Sequence, residues 1–153
     1  MKDWKVSGFA HSGITVKNLE ESIRFYTETL GLTLIKKQTN DVPYIYDIVE
    51  ISGLEKIEIA FIETPDGTVL ELLEYVGVRT YSGESRSCDY ATGHICLLVE
   101  NLDMMFKQLT EQGVQFISNN VVTITAGNHI GSKAVYMKDP DGYLIELMEL
   151  QQS

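Results

Sequence analysis

The chain repeats itself once, and that repeat limits the folds open to it more than any other feature. Setting His11-Ser-Gly-Ile-Thr-Val16-Lys-Asn-Leu19 over His94-Ile-Cys-Leu-Leu-Val99-Glu-Asn-Leu102, an offset of 83, superposes a histidine, a valine, an asparagine and a leucine. Setting Pro65-Asp-Gly-Thr-Val-Leu-Glu71-Leu-Leu-Glu74 over Pro140-Asp-Gly-Tyr-Leu-Ile-Glu146-Leu-Met-Glu149, an offset of 75, gives six identities in ten positions. Within 153 residues, two copies leave about 75 residues each, which is small for an independent core. The expected organisation is a single domain over 1–153, with module one at 5–75, a Gly- and Ser-containing linker at 76–92 and module two at 93–150.

Both copies carry the same order of local signals. Asn18 stands at an N-cap position with Glu21 three residues on, as in a capping box. Leu19, Ile23, Tyr26 and Leu30 follow at helical spacing before Gly31. In the second copy Asn101 is the expected cap, with Leu102, Phe106 and Leu109 on one face and Gly113 at the C-terminal stop. Strand periodicity then takes over at 32–36, 44–51, 57–62 and 69–75 in module one, and at 114–117, 121–125, 133–137 and 144–150 in module two. The Pro-Asp-Gly triplets at 65–67 and 140–142 are turn signals that open the last strand of each unit. With one strand-like stretch to spare in each module, the order is read as β-α-β-β-β, twice, an α+β fold.

Composition narrows the partners. Twelve Lys plus Arg against 22 Asp plus Glu give a net charge of -10, which repels phosphate backbones and anionic bilayers and argues against nucleic acid and membrane surfaces. Two cysteines, Cys88 and Cys96, form no disulfide framework and match no zinc or haem spacing. With no signal-like or membrane-length apolar run, a soluble cytoplasmic protein is the expectation.

Chemistry enters through the alternation of side chains along a strand. His11 shares a face with Gly13 and Thr15, and His94 with Cys96 and Leu98, while Ile14, Val16, Ile95, Leu97 and Val99 point the other way, toward the helices. In the closing strands Leu70, Leu72, Ile145 and Leu147 suit the helix face, which leaves Glu71 and Glu146 on the histidine side. Carboxylates within strands this apolar need compensation, since an unpaired buried charge is costly. A divalent cation supplies it, and an imidazole–carboxylate set suits Ni, Co, Zn, Fe or Mn. A lone strand histidine or glutamate is more often a satisfied cleft residue; here both are duplicated on matched faces. Cys96 is either a fifth group lining the site or a small apolar strand residue. Glu74 and Glu149, on the opposite face near strand ends, are read as solvated, and His129 as an exposed loop residue rather than part of a lid.

The His11 strand running into Asn18-Leu19-Glu-Glu-Ser-Ile23-Arg-Phe25-Tyr26 and Leu30-Gly31-Leu32, with the closing Asp139-Pro-Asp-Gly142-Tyr-Leu-Ile-Glu146-Leu, resembles the vicinal oxygen chelate superfamily. That group includes glyoxalase I, methylmalonyl-CoA epimerase, extradiol dioxygenases, fosfomycin-resistance transferases and bleomycin-binding proteins. The resemblance covers nearly the whole chain and implies paired βαβββ modules whose mixed sheets curl around one metal. Carried over by position, the ligands are His11, Glu71, His94 and Glu146, from one chain or from two across an expected homodimer.

Ligand count sorts the reactions the family offers. Four side chains on a six-coordinate metal leave two positions, enough for a bidentate oxygen substrate and too few for a catechol plus dioxygen. Glu71 therefore disfavours the extradiol dioxygenase, and four convergent ligands exceed what a drug-binding module of the bleomycin-resistance type needs. The expected activity is a lyase or isomerase of the glyoxalase I type on a small molecule. Glu146 or Glu71 abstracts a proton next to a carbonyl while the metal stabilises the enediolate or enolate. Two departures matter. Thr15 stands where bacterial glyoxalase I has an arginine that helps bind glutathione, and Glu71 where the epimerase has a glutamine ligand. Glu50 and Asp47, in a stretch read as strand, are the candidates for a second epimerase acid/base group, and Arg79 and Arg86 in the linker are the visible cations for a CoA thioester.

Overall fold

The computed structural model describes residues 2–151, and the chain divides into two compact units between Thr80 and Tyr81. Each unit is built on a four-stranded mixed sheet, with strand order β1-β4-β3-β2 in the first and β5-β8-β7-β6 in the second. The repeat seen in the sequence is thus a repeat of topology: in both units the opening strand pairs parallel to the closing strand.

In unit 1, β1 (Ser12–Thr15) lies parallel to β4 (Val69–Val76), with Gly13 opposite Glu71 and Ile14 opposite Leu72. Beyond β4 come β3 (Lys56–Glu63) and β2 (Thr33–Asn40), both antiparallel. Helix α1 (Leu19–Arg24) runs on into a π-helical turn over Phe25–Thr29. The Asn18 carboxamide accepts from the Glu21 amide at 2.9 Å, the expected cap, and Gly31 at φ +74 ends the segment. Leu19, Ile23 and Tyr26 are buried together with Ile14, Val16, Ile62, Leu70 and Leu72, the face assigned to helix packing from alternation alone.

One expected strand is a helix. Residues 44–51 alternate like a strand, but α2 (Pro43–Val49) occupies the stretch, with Pro43 in the first turn and Glu50 at φ 49 as its C-cap. Ile45 packs with Leu54, Ile57 and Ile59, joined by Tyr46, Val49, Phe61, Leu73 and Tyr75. Burial on the sheet at i, i+1 and i+4 outweighs the local preference of tyrosine, isoleucine and valine for extended backbone. Because Phe61 and Leu73 belong to the Glu71 face, that face is not free of helix, as alternation implied; α2 covers part of it.

In unit 2, β5 (His94–Leu98) lies parallel to β8 (Leu144–Glu149), which pairs antiparallel with β7 (Lys133–Lys138); β6 (Val122–Thr123) is a two-residue edge. Residues 114–117 make no strand, only the isolated Phe116–Met137 bridge, so each unit keeps three strands after its first helix and the βαβββ order stands. Helix α3 (Leu102–Glu111) buries Leu102 and Leu109; Val135, Met137, Ile145 and Leu147 are also buried, all on one face of the sheet. Both Pro-Asp-Gly turns form, with Gly67 at φ +86 and Gly142 at φ +89. In the second, the buried Asp139 carboxylate accepts from the amides of Asp141 at 2.9 Å and Tyr143 at 2.8 Å.

The duplicated glutamates Glu74 and Glu149 are not simply solvated. They do lie opposite the histidine face, but Glu74 accepts the Leu19 amide at 2.7 Å, and Glu149 accepts the amides of Asn101 at 3.0 Å and Leu102 at 3.1 Å. Each closing strand therefore caps its own unit's first helix, where free N–H groups and the positive end of the helix dipole favour a carboxylate. In unit 2 this replaces the expected asparagine cap. Asn101 sits at the N-cap at φ 58, not in the extended conformation of Asn18, and its side chain makes no capping bond.

Candidate metal centre

Each unit brings one histidine and one glutamate into contact. His11, immediately before β1, places Nε2 2.9 Å from Glu71 Oε2; His94, the first residue of β5, places Nε2 3.4 Å from Glu146 Oε2. The parallel β1–β4 and β5–β8 pairs produce this, since each sets the opening strand beside the middle of the closing one. The carboxylates are largely buried, at 14 % and 16 % side-chain exposure, while the imidazoles are 44 % and 41 % exposed. A largely buried carboxylate beside an exposed imidazole is a donor pair suited to a borderline divalent cation. Among the described residues no group of three or more His, Cys, Asp or Glu side chains is spaced to hold a metal, so within either unit the candidate ligands occur as a pair.

The neighbours of the two glutamates differ. Glu71 lies between Gly13 on β1 and Phe61 on β3, neither of which offers a side-chain donor. Glu146 lies between Cys96 on β5 and Tyr136 on β7. The Tyr136 hydroxyl is 3.1 Å from His94 Nε2 and 3.3 Å from Glu146 Oε2, and its ring meets the His94 ring edge-on at 5.1 Å between centroids. Partial burial, then the Glu146 charge, raise the Tyr136 phenol above its ordinary value, so it stays protonated. The same two causes push the Cys96 thiol up to about 11. Cys96 is exposed, not buried as a small apolar strand residue would be, and both cysteines are free.

Tyr136 carries no signal of its own in the sequence. It becomes visible when the offset of 75 is extended back one strand, which sets Phe61 over Tyr136 beside the two glutamates. The remaining candidates lie outside the two pairs. Asp47 lies within α2 and Glu50 caps its end, both exposed and neither in a strand. Arg86 is bound by Asp89 through Nη2–Oδ1 at 2.7 Å and Nε–Oδ2 at 3.2 Å, which occupies a cation expected to be available for a thioester carrier. His129 is exposed in its loop, as read from the sequence.

Tandem βαβββ units, each with a histidine at the start of its opening strand and a glutamate on its closing one, define a class of duplicated α+β fold. Residues 8–147 match the family model for the glyoxalase/bleomycin resistance protein/dioxygenase superfamily, and the chain belongs to that superfamily. It is 32 % identical over 141 residues to a lactoylglutathione lyase of Escherichia coli O157:H7, covering 91 % of this chain and 90 % of that one. A 2-epi-5-epi-valiolone epimerase of Actinomyces is 26 % identical over 144 residues, covering 92 % of this chain and 78 % of that protein. Among solved structures, a glyoxalase family protein of Bacillus cereus superposes with a TM-score of 0.82 at 22 % identity, over 99 % of both chains.

Proposed function

We propose that the protein is a metal-dependent lyase or isomerase of the glyoxalase type, with His11, Glu71, His94 and Glu146 as divalent-cation ligands drawn from one chain or from two across a dimer. The observation that carries this is the duplicated contact: a largely buried carboxylate held against an imidazole at the same place in both units. Relatives named as a lyase and as an epimerase support an enzyme. A bound cation would act as Lewis acid toward two adjacent oxygens of the substrate and stabilise the enediolate or enolate. His11 and His94 hold their ring nitrogens toward the carboxylates. In a lyase Glu71 or Glu146 takes the proton next to the carbonyl and returns it to the neighbouring carbon; in an epimerase one of the two takes the proton and the other, protonated, delivers one to the opposite face of the same carbon.

Metal analysis of the purified protein, followed by anaerobic exchange in deuterated water with hemithioacetals and acyl thioesters, tests the reading. Stoichiometric metal and deuterium uptake next to the carbonyl are expected. Glu71→Gln and Glu146→Gln should each lower metal content and abolish exchange. Substoichiometric metal that neither substitution alters would overturn the assignment. An epimerase reading is favoured by the Actinomyces relative and by Thr15 standing where a glutathione-binding arginine is expected. It predicts racemisation of an acyl thioester or cyclic ketone without turnover of hemithioacetals.

A further inference from the structure

The two His–Glu pairs sit at equivalent places in the repeat but are not equivalent in their surroundings. In unit 1 the residue beside Glu71 on the next strand is Phe61, packed against the Ile45–Ile59 core under α2. In unit 2 the residue at the same register beside Glu146 is Tyr136, which keeps the ring and adds a hydroxyl. That hydroxyl lies 3.1 Å from His94 Nε2 and 3.3 Å from Glu146 Oε2. The direct His–Glu approach is correspondingly different: 2.9 Å where no hydroxyl intervenes and 3.4 Å where one does.

We propose that Tyr136 is a positioning residue for the second pair, its hydroxyl holding the Glu146 carboxylate and its ring the His94 imidazole, and so making the two halves of the repeat unequal toward a divalent cation. This rests on the metal reading given above. A phenol has one proton to give and lone pairs to receive. Donating to Glu146 Oε2 engages one carboxylate oxygen and leaves the other to face a cation. In the metal-free chain the phenolic oxygen can also accept a hydrogen bond from His94 Nε2, one that a cation bound at that nitrogen would replace, while the edge-on ring contact limits how far the imidazole can rotate in either state. Glu71 has no hydroxyl beside it on either neighbouring strand, so its orientation depends on His11 and on the cation. Partners that orient metal ligands from outside the ligand set change affinity by roughly 10- to 100-fold when removed.

Tyr136→Phe is the decisive variant, because phenylalanine already fills this position in unit 1. Cobalt(II) affinity of the full chain is measured by calorimetry alongside the visible spectrum of the bound ion, and the imidazole nitrogens of the metal-free protein by long-range proton–nitrogen correlation spectra. The expected result is a loss of affinity of roughly tenfold, an altered cobalt spectrum, and displaced ring resonances for His94 but not His11, with an unchanged melting temperature. Equal affinity in wild type and variant with unmoved His94 resonances overturns the role of Tyr136 and leaves the metal reading standing. So does a lowered melting temperature with unchanged affinity, the mark of a packing role. A wild-type chain that binds no cobalt, nickel, zinc, iron or manganese overturns both.

Discussion

At the scale of the residue, the environment of Glu146 has a consequence that can be measured without substrate. The Cys96 thiol is pushed up to about 11 by partial burial and by the Glu146 charge opposite it in register. A raised thiol value favours the neutral form, so reactivity appears only as pH climbs toward it. At pH 8 the metal-free protein should carry roughly a hundredfold less Cys96 thiolate than a thiol at the ordinary value of 9.0. Alkylation with iodoacetamide, followed peptide by peptide, should rise about tenfold per pH unit through pH 10, and Glu146→Gln should bring the rise to lower pH. A rate that levels off near pH 9 would contradict this. The residues of the pairs were legible in the sequence because histidine and glutamate recur at matched strand positions. Tyr136 was not, because a tyrosine in a strand is unexceptional until the register shows which side chains it stands beside.

At the scale of the element, the repeat also accounts for how the helices begin. Glu149 caps α3 through two amides and Glu74 caps α1 through one. Glu149→Ala should destabilise the protein by about 1–2 kcal/mol and Glu74→Ala by about 1 kcal/mol, the range for losing a cap. Urea unfolding measures both, and equal losses would show that the second amide contributes nothing. The two turn glycines separate strain from crowding. A Cβ at Gly67 meets nothing within 4 Å, so Gly67→Ala carries only the left-handed backbone cost of about 1–2 kcal/mol. At Gly142 the Cβ would also lie 2.9 Å from the Glu84 side chain, so Gly142→Ala should cost more. Helices α1 and α3 were readable from their apolar spacing, stop glycines and, for α1, an asparagine cap. Helix α2 was not: residues 44–51 alternate like a strand, and only Pro43 at the first turn and the burial of Ile45 against β3 decide otherwise. The caps from Glu74 and Glu149 could not be foreseen, because they join residues far apart in the chain.

At the scale of the whole molecule, the net charge of -10 and the duplicated architecture bear on cation binding together. The field that discourages polyanions favours a divalent cation, and a bound one would bring the net charge to about -8. Because a cation that binds only the folded chain stabilises it by mass action, nickel or cobalt at a hundred times its dissociation constant should add about 2.7 kcal/mol. Calorimetric scans before and after chelation and reloading test this, and a melting temperature indifferent to metal would count against the metal reading. The class of fold was legible, since the repeated βαβββ pattern and the matched histidine and glutamate positions follow from comparing the chain with itself; α2, which covers part of the Glu71 face, was not. The parallel closure of each sheet has a kinetic meaning as well. His11 meets Glu71, and His94 meets Glu146, only when the first strand of a unit pairs with its last, the contact that closes the longest loop in that unit. Hairpins can assemble earlier, but a histidine–glutamate pair cannot, so during refolding the appearance of each imidazole–carboxylate contact would mark the moment its unit is finished.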